Sequence, residues 1–287
     1  MIDRFRVALV QNCAEREMAP SIAAIEPLIR AAAKQGADLI QLPEMCTMLE
    51  PDNAAVLAKS VSEAEDPGLA RFRKLAQELK RWIHVGSLLI KDPGQSRVAN
   101  RAFVIDGEGR IRSRYDKIHL FDVAIKDGNS YQESATVVPG SKAVIAALPW
   151  GLLGLSICYD LRFAQLYRAL AQGGAAYLGV PAAFTQKTGE AHWHVLARAR
   201  AIETGSFVFA ANQCGTHAEG RRTFGHSLVV SPWGEVLADG GADVGVVLAE
   251  IDPAKVEEAR RMIPSLKHDR PFAKPETAAL QDAAAGE

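Results

Sequence analysis

Short apolar runs, each cut off by a proline, a glycine or a polar residue, alternate along this chain with stretches whose apolar residues recur at helical spacing. That alternation is the strongest constraint on what the chain can fold into. Residues 5–10 read as a first strand, 22–33 as a helix closed by Gln35-Gly36, and 37–42 as a second strand stopped by Pro43. Residues 68–82 read as another helix, with Leu69, Phe72, Leu75, Ala76 and Leu79 on one face. Strands follow at 83–90, 99–105 and 110–115, the last two joined through Asp106-Gly107-Glu108-Gly109 as a hairpin. Residues 125–134 read as a polar loop, and 144–148 and 152–157 as a second hairpin. Residues 176–180, 206–211, 225–230 and 246–251 complete the strands; 192–203 and 253–262 are the remaining helices. The order β-α-β-α-β-β recurs loosely in each half. Strands alternating with helices and interrupted by hairpins predict a mixed α/β sheet covered by helices. No stretch looks like a linker between two cores, so one domain is expected over residues 1–275, with 276–287 as a flexible tail.

The charge balance narrows the function. Thirty-three basic residues against thirty-four acidic ones give no global field for nucleic acid or an anionic membrane. No apolar stretch approaches the roughly 20 residues that span a bilayer, and the first residues lack a signal peptide's apolar region. The four cysteines (Cys13, Cys46, Cys158, Cys214) lie far apart with no C-x-x-C pair, which fits a reducing, cytosolic compartment and neither a zinc knuckle nor a disulfide framework.

Four residues carry chemistry at the ends of these elements. The apolar run 152–157 stops at Cys158, followed by Tyr159-Asp160 and then Leu161, Phe163, Leu166, Tyr167 and Leu170 at helical spacing. A thiol there ends a buried strand beside the backbone N–H groups of a turn, where a thiolate nucleophile and its oxyanion donors belong. Read alone, it is equally a small buried hydrophobe. Glu44 directly follows the stop at Pro43, and a carboxylate at a buried strand end is hydrogen-bonded or functional. Lys117 follows the first hairpin among aromatic and apolar neighbours, and Glu133 closes the polar stretch.

Leu42-Pro43-Glu44, Tyr115-Asp116-Lys117-Ile118-His119-Leu120-Phe121 and Gly154-Leu155-Ser156-Ile157-Cys158-Tyr159-Asp160-Leu161-Arg162-Phe163 resemble the three signature segments of the nitrilase superfamily of carbon–nitrogen hydrolases. Gln132-Glu133-Ser134 followed by Pro139-Gly140 resembles that family's second-glutamate segment, and the similarity runs from about Arg6 to about Pro271. Pro181-Ala182-Ala183-Phe184, Thr188-Gly189, Ala191-His192-Trp193 and Ala199-Arg200-Ala201-Ile202-Glu203-Thr204 are similar to the omega-amidase and deaminated-glutathione-amidase group. Residues 213–217, Gly225-His226-Ser227 and Pro232-Trp233-Gly234 resemble the latter more closely. Met45-Cys46-Thr47-Met48-Leu49 and Gly205 depart from the omega-amidase pattern, which bears on the substrate and not on the chemistry.

The resemblance implies a four-layer α-β-β-α sandwich, a homodimer, and a small-molecule amide substrate with neither cofactor nor metal. It also implies the roles. Glu44 is the general base, with a pKa expected to be raised by burial. Cys158 attacks the carbonyl carbon, and the oxyanion falls between Lys117 and the N–H of Tyr159. Glu133 orients Lys117 or the leaving amine. Phe184 and Thr188 are pocket walls. Deaminated glutathione is the expected substrate, with 2-oxoglutaramate, a nitrile, or a catalytically silent partner module as alternatives. Other residues keep two readings. Arg162 binds a carboxylate or forms an ion pair with Asp160 or a nearby acid. Arg221 and Arg222 are solvated in a polar loop or hold the substrate's far carboxylate. His192 and His194, two apart on a helix, point to different faces around a core Trp193, and His226 reads as structural.

Overall fold

The computed structural model describes residues 3–124 and 130–277. Its first strand, β1 (Phe5–Gln11), shows why the apolar runs are continuous. Phe5, Val7 and Leu9 face one core while Ala8 and Val10 face another, so both faces are buried. Helix α1 (Met18–Lys34) lays Ile25, Ile29 and Ala32 over the second face, and β2 (Leu39–Gln41) returns parallel to β1. A short α2 (Asn53–Lys59), capped by the Asp52 side chain, precedes α3 (Pro67–Leu79), which adds Leu69, Phe72 and Leu75 to the same core. Strands β3 (Trp82–Ile90), β4 (Ala99–Ile105) and β5 (Ile111–Asp116) finish this half as a meander. A small hairpin of β6 (Asp122–Ala124) and β7 (Ser130–Gln132) lies outside both large sheets.

The second half repeats the plan. After β8 (Ile145–Leu148), β9 (Gly151–Leu155) leads through α4 (Ala164–Gln172) to a parallel β10 (Tyr177–Gly179). The single turn α5 (Gln186–Thr188), a π-helical turn (Gly189–Trp193) and α6 (His194–Thr204) lead to β11 (Phe207–Ala210), parallel to β10. Strands β12 (Cys214–Thr216) and β13 (Arg222–Phe224) form a separate hairpin, and β14 (Leu228–Val230) and β15 (Val236–Asp239) extend the sheet. The chain crosses back as β16 (Gly245–Ile251), antiparallel to β1, and ends its regular structure with α7 (Ala254–Met262).

The sheet orders are β16-β1-β2-β3-β4-β5 and β15-β14-β11-β10-β9-β8. Val7, Leu9 and Val104 of the first sheet meet Leu155, Leu178 and Phe209 of the second, with Trp193, Ala197 and Leu170 of the second helical layer in the same cluster. The layers therefore run α-β-β-α, as expected, and the loose repeat is β1-α1-β2-α3-β3-β4 against β9-α4-β10-α6-β11-β14.

The elements differ from expectation in several places. Trp82 opens β3 and does not end α3, because Lys80 adopts a left-handed conformation at the helix end. Helix α2, the β12–β13 hairpin and β15 are additional. Within the expected loop 125–134, residues 130–132 form a strand and Glu133–Ala135 a 3-10 turn, while 125–129 lie outside the described residues. Beyond residue 277 the expected tail also lies outside them. Among the described residues no helix is long and apolar enough to cross a membrane.

Candidate active site

Parallel strands that end at one rim bring their following loops together. The loop after β2 carries Glu44, that after β9 carries Cys158, and that after β10 carries Ala183. Gly86, at an irregularity of the β3–β4 pairing, lets them approach. A β-carbon there would lie 2.1 Å from the Leu42 carbonyl oxygen, 2.3 Å from that of Pro43 and 2.5 Å from Pro181.

Lys117, just beyond β5, is buried between two carboxylates. Its Nζ donates to Glu44 Oε1 at 2.8 Å and to Glu133 Oε2 and Oε1 at 2.8 and 3.0 Å. Asn100 Nδ2 on β4 donates to both acids, 3.0 Å from Glu44 Oε1 and 3.0 Å from Glu133 Oε1. The Ala183 N–H donates to Glu44 Oε2 (2.9 Å), and Gln213 Nε2 holds the Glu44 carbonyl (2.9 Å). Glu133 Oε2 also accepts the Phe121 N–H (2.7 Å).

Cys158 opens a 3-10 turn (Cys158–Arg162) with φ +47°, a backbone strained by its own β-carbon. Its N–H donates to Pro181 O at 2.8 Å. Two residues on, Asp160 is fully buried and ties this turn to the segment carrying Lys117. Asp160 Oδ2 accepts from Ile157 N (2.8 Å) and the Tyr115 hydroxyl (2.7 Å). Its Oδ1 accepts the His119 N–H (3.0 Å) and lies 2.7 Å from His119 Nδ1.

The protonation pattern is set by burial against charge. Burial alone would raise the Glu44 carboxyl, but the Lys117 ammonium, the Cys158 thiol and the Ala183 N–H hold it below the ordinary carboxylate value. The expectation of a raised Glu44 is therefore corrected: the ammonium 2.8 Å away outweighs desolvation. Burial, then the Glu44 charge, pushes the Cys158 thiol well up, and Lys117 only partly offsets them. Burial also works against the Lys117 ammonium, yet its two carboxylates keep it firmly protonated. The site therefore holds a thiol, a carboxylate and an ammonium.

Above these groups opens a cavity of about 710 Å³, whose wall includes all seven predicted site residues: Glu44, Lys117, Glu133, Cys158, Tyr159, Phe184 and Thr188. Arg221 and Arg222 line it too, Arg222 on β13 and not in a loop. Arg221 is half-buried, with Nη2 3.4 Å from Ala183 O, its guanidinium 5.6 Å from the Tyr131 ring, and its buried Nε without a hydrogen-bond partner. Among the described residues neither arginine pairs with a carboxylate. The nearby Glu50 is taken by Arg16 and Lys59.

Arg162 does not pair with Asp160, whose oxygens are already filled. Its guanidinium lies over the Tyr159 and Phe184 rings and 3.4 Å from His192 Nδ1. Trp193 is fully buried, as expected, and His192, His194 and His226 do not line the cavity. Asn100 was missed by sequence reasoning; a polar residue ahead of the apolar run Ala102–Ile105 of the same strand was the available signal. The Ala183 N–H left no signal, being a backbone group.

With this geometry in hand, the class is plain. A family model described as carbon-nitrogen hydrolase matches residues 6–261. The chain belongs to the carbon-nitrogen hydrolase family, in the amidase branch of the nitrilase superfamily. A Synechocystis protein named deaminated glutathione amidase is 41% identical over 92% of this chain and 97% of its own length. Bos taurus omega-amidase NIT2 is 34% identical over 93% and 95% respectively. The crystal structure of the C. elegans NitFhit protein superposes with a TM-score of 0.87 at 35% identity, covering 93% of this chain and 65% of that one.

Proposed function

We propose that this amidase cleaves the amide of deaminated glutathione through a Cys158 thioester, giving 2-oxoglutarate and cysteinylglycine. The observation that carries the chemistry is the buried Glu44–Lys117–Glu133 group sharing one cavity floor with Cys158. As the Cys158 sulfur bonds to the amide carbon, its proton passes to Glu44. The carbonyl oxygen takes up negative charge between Lys117 Nζ and the Tyr159 N–H. The C–N bond then breaks, Glu44 protonates the leaving amine, and a thioester remains. Water, deprotonated by Glu44, attacks the thioester, and the thiol leaves as the acid forms. Glu133 and Asn100 hold the ammonium and the base at fixed separation. Tyr159, Phe184 and Thr188 wall the substrate.

Two features support an anionic substrate of this size: the cavity volume, and two arginines on its wall with no carboxylate partner among the described residues. The relatives named deaminated glutathione amidase favour the tripeptide analogue; the one named omega-amidase supports 2-oxoglutaramate as the second reading. We read the chain as one hydrolase domain working as a cytosolic homodimer. Supporting this are the four free thiols and the exposed Val195, Ile202 and Trp233, which leave an apolar face beside α6. The test is 2-oxoglutarate release by the pure protein from each amide. A tenfold higher kcat/KM for deaminated glutathione, about 1.4 kcal/mol of transition-state preference, is the expected result. Preference for 2-oxoglutaramate would make the small amide the substrate.

A further inference from the structure

Three side chains that the proposed reaction does not use converge at the start of α6. His194 opens that helix, His226 lies between β13 and β14, and Asp239 ends β15. His194 Nε2 is 2.9 Å from Asp239 Oδ2, and His226 Nδ1 is 2.9 Å from Oδ1 and 3.2 Å from Oδ2. The donor atoms of all three lie within 4.8 Å of one another. The His–Asp spacings serve a hydrogen-bonded trio. They also match the edges of a coordination shell whose bonds are about 2.0–2.2 Å long.

The surroundings orient these groups more firmly than a surface hydrogen bond requires. His226 is held at φ +51°, its carbonyl accepts from Trp193 Nε1 (2.7 Å), its N–H donates to Gly241 O (2.6 Å), and its ring stacks on Phe224 at 4.5 Å. Asp239 Oδ1 accepts the Gly241 N–H at 2.9 Å. Fixing ligand orientation in advance is what outer partners do for a metal. Among the described residues no lysine or arginine pairs with Asp239; the side chains that face its oxygens are the two imidazoles. Each of the three side chains is about one-third exposed, so further positions around an ion would face water.

We propose that His194, His226 and Asp239 form a binding site for one divalent transition-metal ion of the zinc type. Two imidazole nitrogens and a carboxylate with open water positions are a donor set that suits zinc or cobalt and not magnesium or calcium. The three residues are 13 or more positions apart in sequence, so no metal-ligand spacing announced them. The site is separate from the catalytic floor but touches its wall: Trp193, which holds His226, packs 5.0 Å from Phe184.

The test is titration of the full chain, stripped by a chelator, with cobalt(II) and then zinc(II). The expected result is one cobalt per chain with visible bands of low-coordinate geometry, displaced by zinc, and no thiolate-to-cobalt band in the near ultraviolet. His194→Ala and Asp239→Asn should each weaken binding by about tenfold or more, with unchanged denaturation midpoints showing that both variants fold. Equal cobalt binding in those folded variants would overturn the proposal. So would a thiolate band, which would put the ion on a cysteine, or no binding at all by the wild-type protein.

Discussion

Replacing Asp160 with asparagine removes one charge and changes no volume, so its cost follows from hydrogen bonds alone. Each carboxylate oxygen now faces two groups, Ile157 N–H and the Tyr115 hydroxyl at Oδ2, the His119 N–H and ring nitrogen at Oδ1. An amide keeps one oxygen and turns an NH2 toward the other pair. Two buried partners are then opposed by like hydrogens, at about 1–3 kcal/mol each. Because the Tyr115 hydroxyl can rotate and act as acceptor, a loss of about 3 kcal/mol is expected, a large share of a stability of about 5–15 kcal/mol. The same bonds fix the distance from the Cys158 turn to the Lys117 segment. An ångström of slack there should lower kcat by about 10²-fold while KM moves little. Urea denaturation, steady-state kinetics and the rate of Cys158 alkylation measure the three effects. A variant within 1 kcal/mol of wild type at full kcat would refute the view that Asp160 braces the nucleophile against the ammonium.

Lys117→Ala should keep the secondary structure but lower kcat by about 10²–10³-fold or more; a near-normal rate would remove Lys117 from the oxyanion site. The Glu44 carboxyl is held below its ordinary value of 4.5, so the base proposed above is lost only as pH falls through that depressed value. kcat/KM should therefore stay level through neutrality and down to acid pH, and in Lys117→Ala its acid limb should move up. A wild-type limb near neutral pH would contradict this. By the same sign, the stability that the ionised Glu44 contributes is present above its unfolded value and lost on acidification. Arg221→Gln should raise KM for carboxylate-bearing amides by about 10–100-fold, the loss of a charged hydrogen bond of about 1.5–3 kcal/mol, with little effect on an uncharged amide. Equal effects on both would mean that Arg221 only shapes the wall.

What the sequence revealed and what it hid follow the range of the forces involved. Strands such as β1 and β9 were legible because burial on both faces writes a near-continuous apolar run, and Pro43 and Pro181 mark where β2 and β10 stop. Cys158, Glu44, Lys117 and Glu133 stood out because polar groups at such ends need a reason. The short pieces were harder. Helix α2 is seven residues, barely two turns, and β12 and β13 pair three residues each, too few for a period to show. Asn100, Asp160 and the His194–His226–Asp239 group act across long sequence separations, where no local pattern reports the partner. The direction of the Glu44 shift was misread for the same reason. Burial is visible in sequence, whereas an ammonium 2.8 Å away is not.

One ammonium between two carboxylates leaves the cavity floor with an excess of negative charge, while Arg221 and Arg222 stand on its wall with no carboxylate partner among the described residues. A neutral amide group meets no repulsion at that floor. The acid it becomes does: once the proton has gone, the new carboxylate is born against Glu44 and Glu133. Hydrolysis thus converts a tolerated group into a rejected one, and the field of the resting site favours ejecting product and resists the reverse condensation. The charge left over on the floor speeds the departure of product, while the balance between amide and acid stays that of the free molecules.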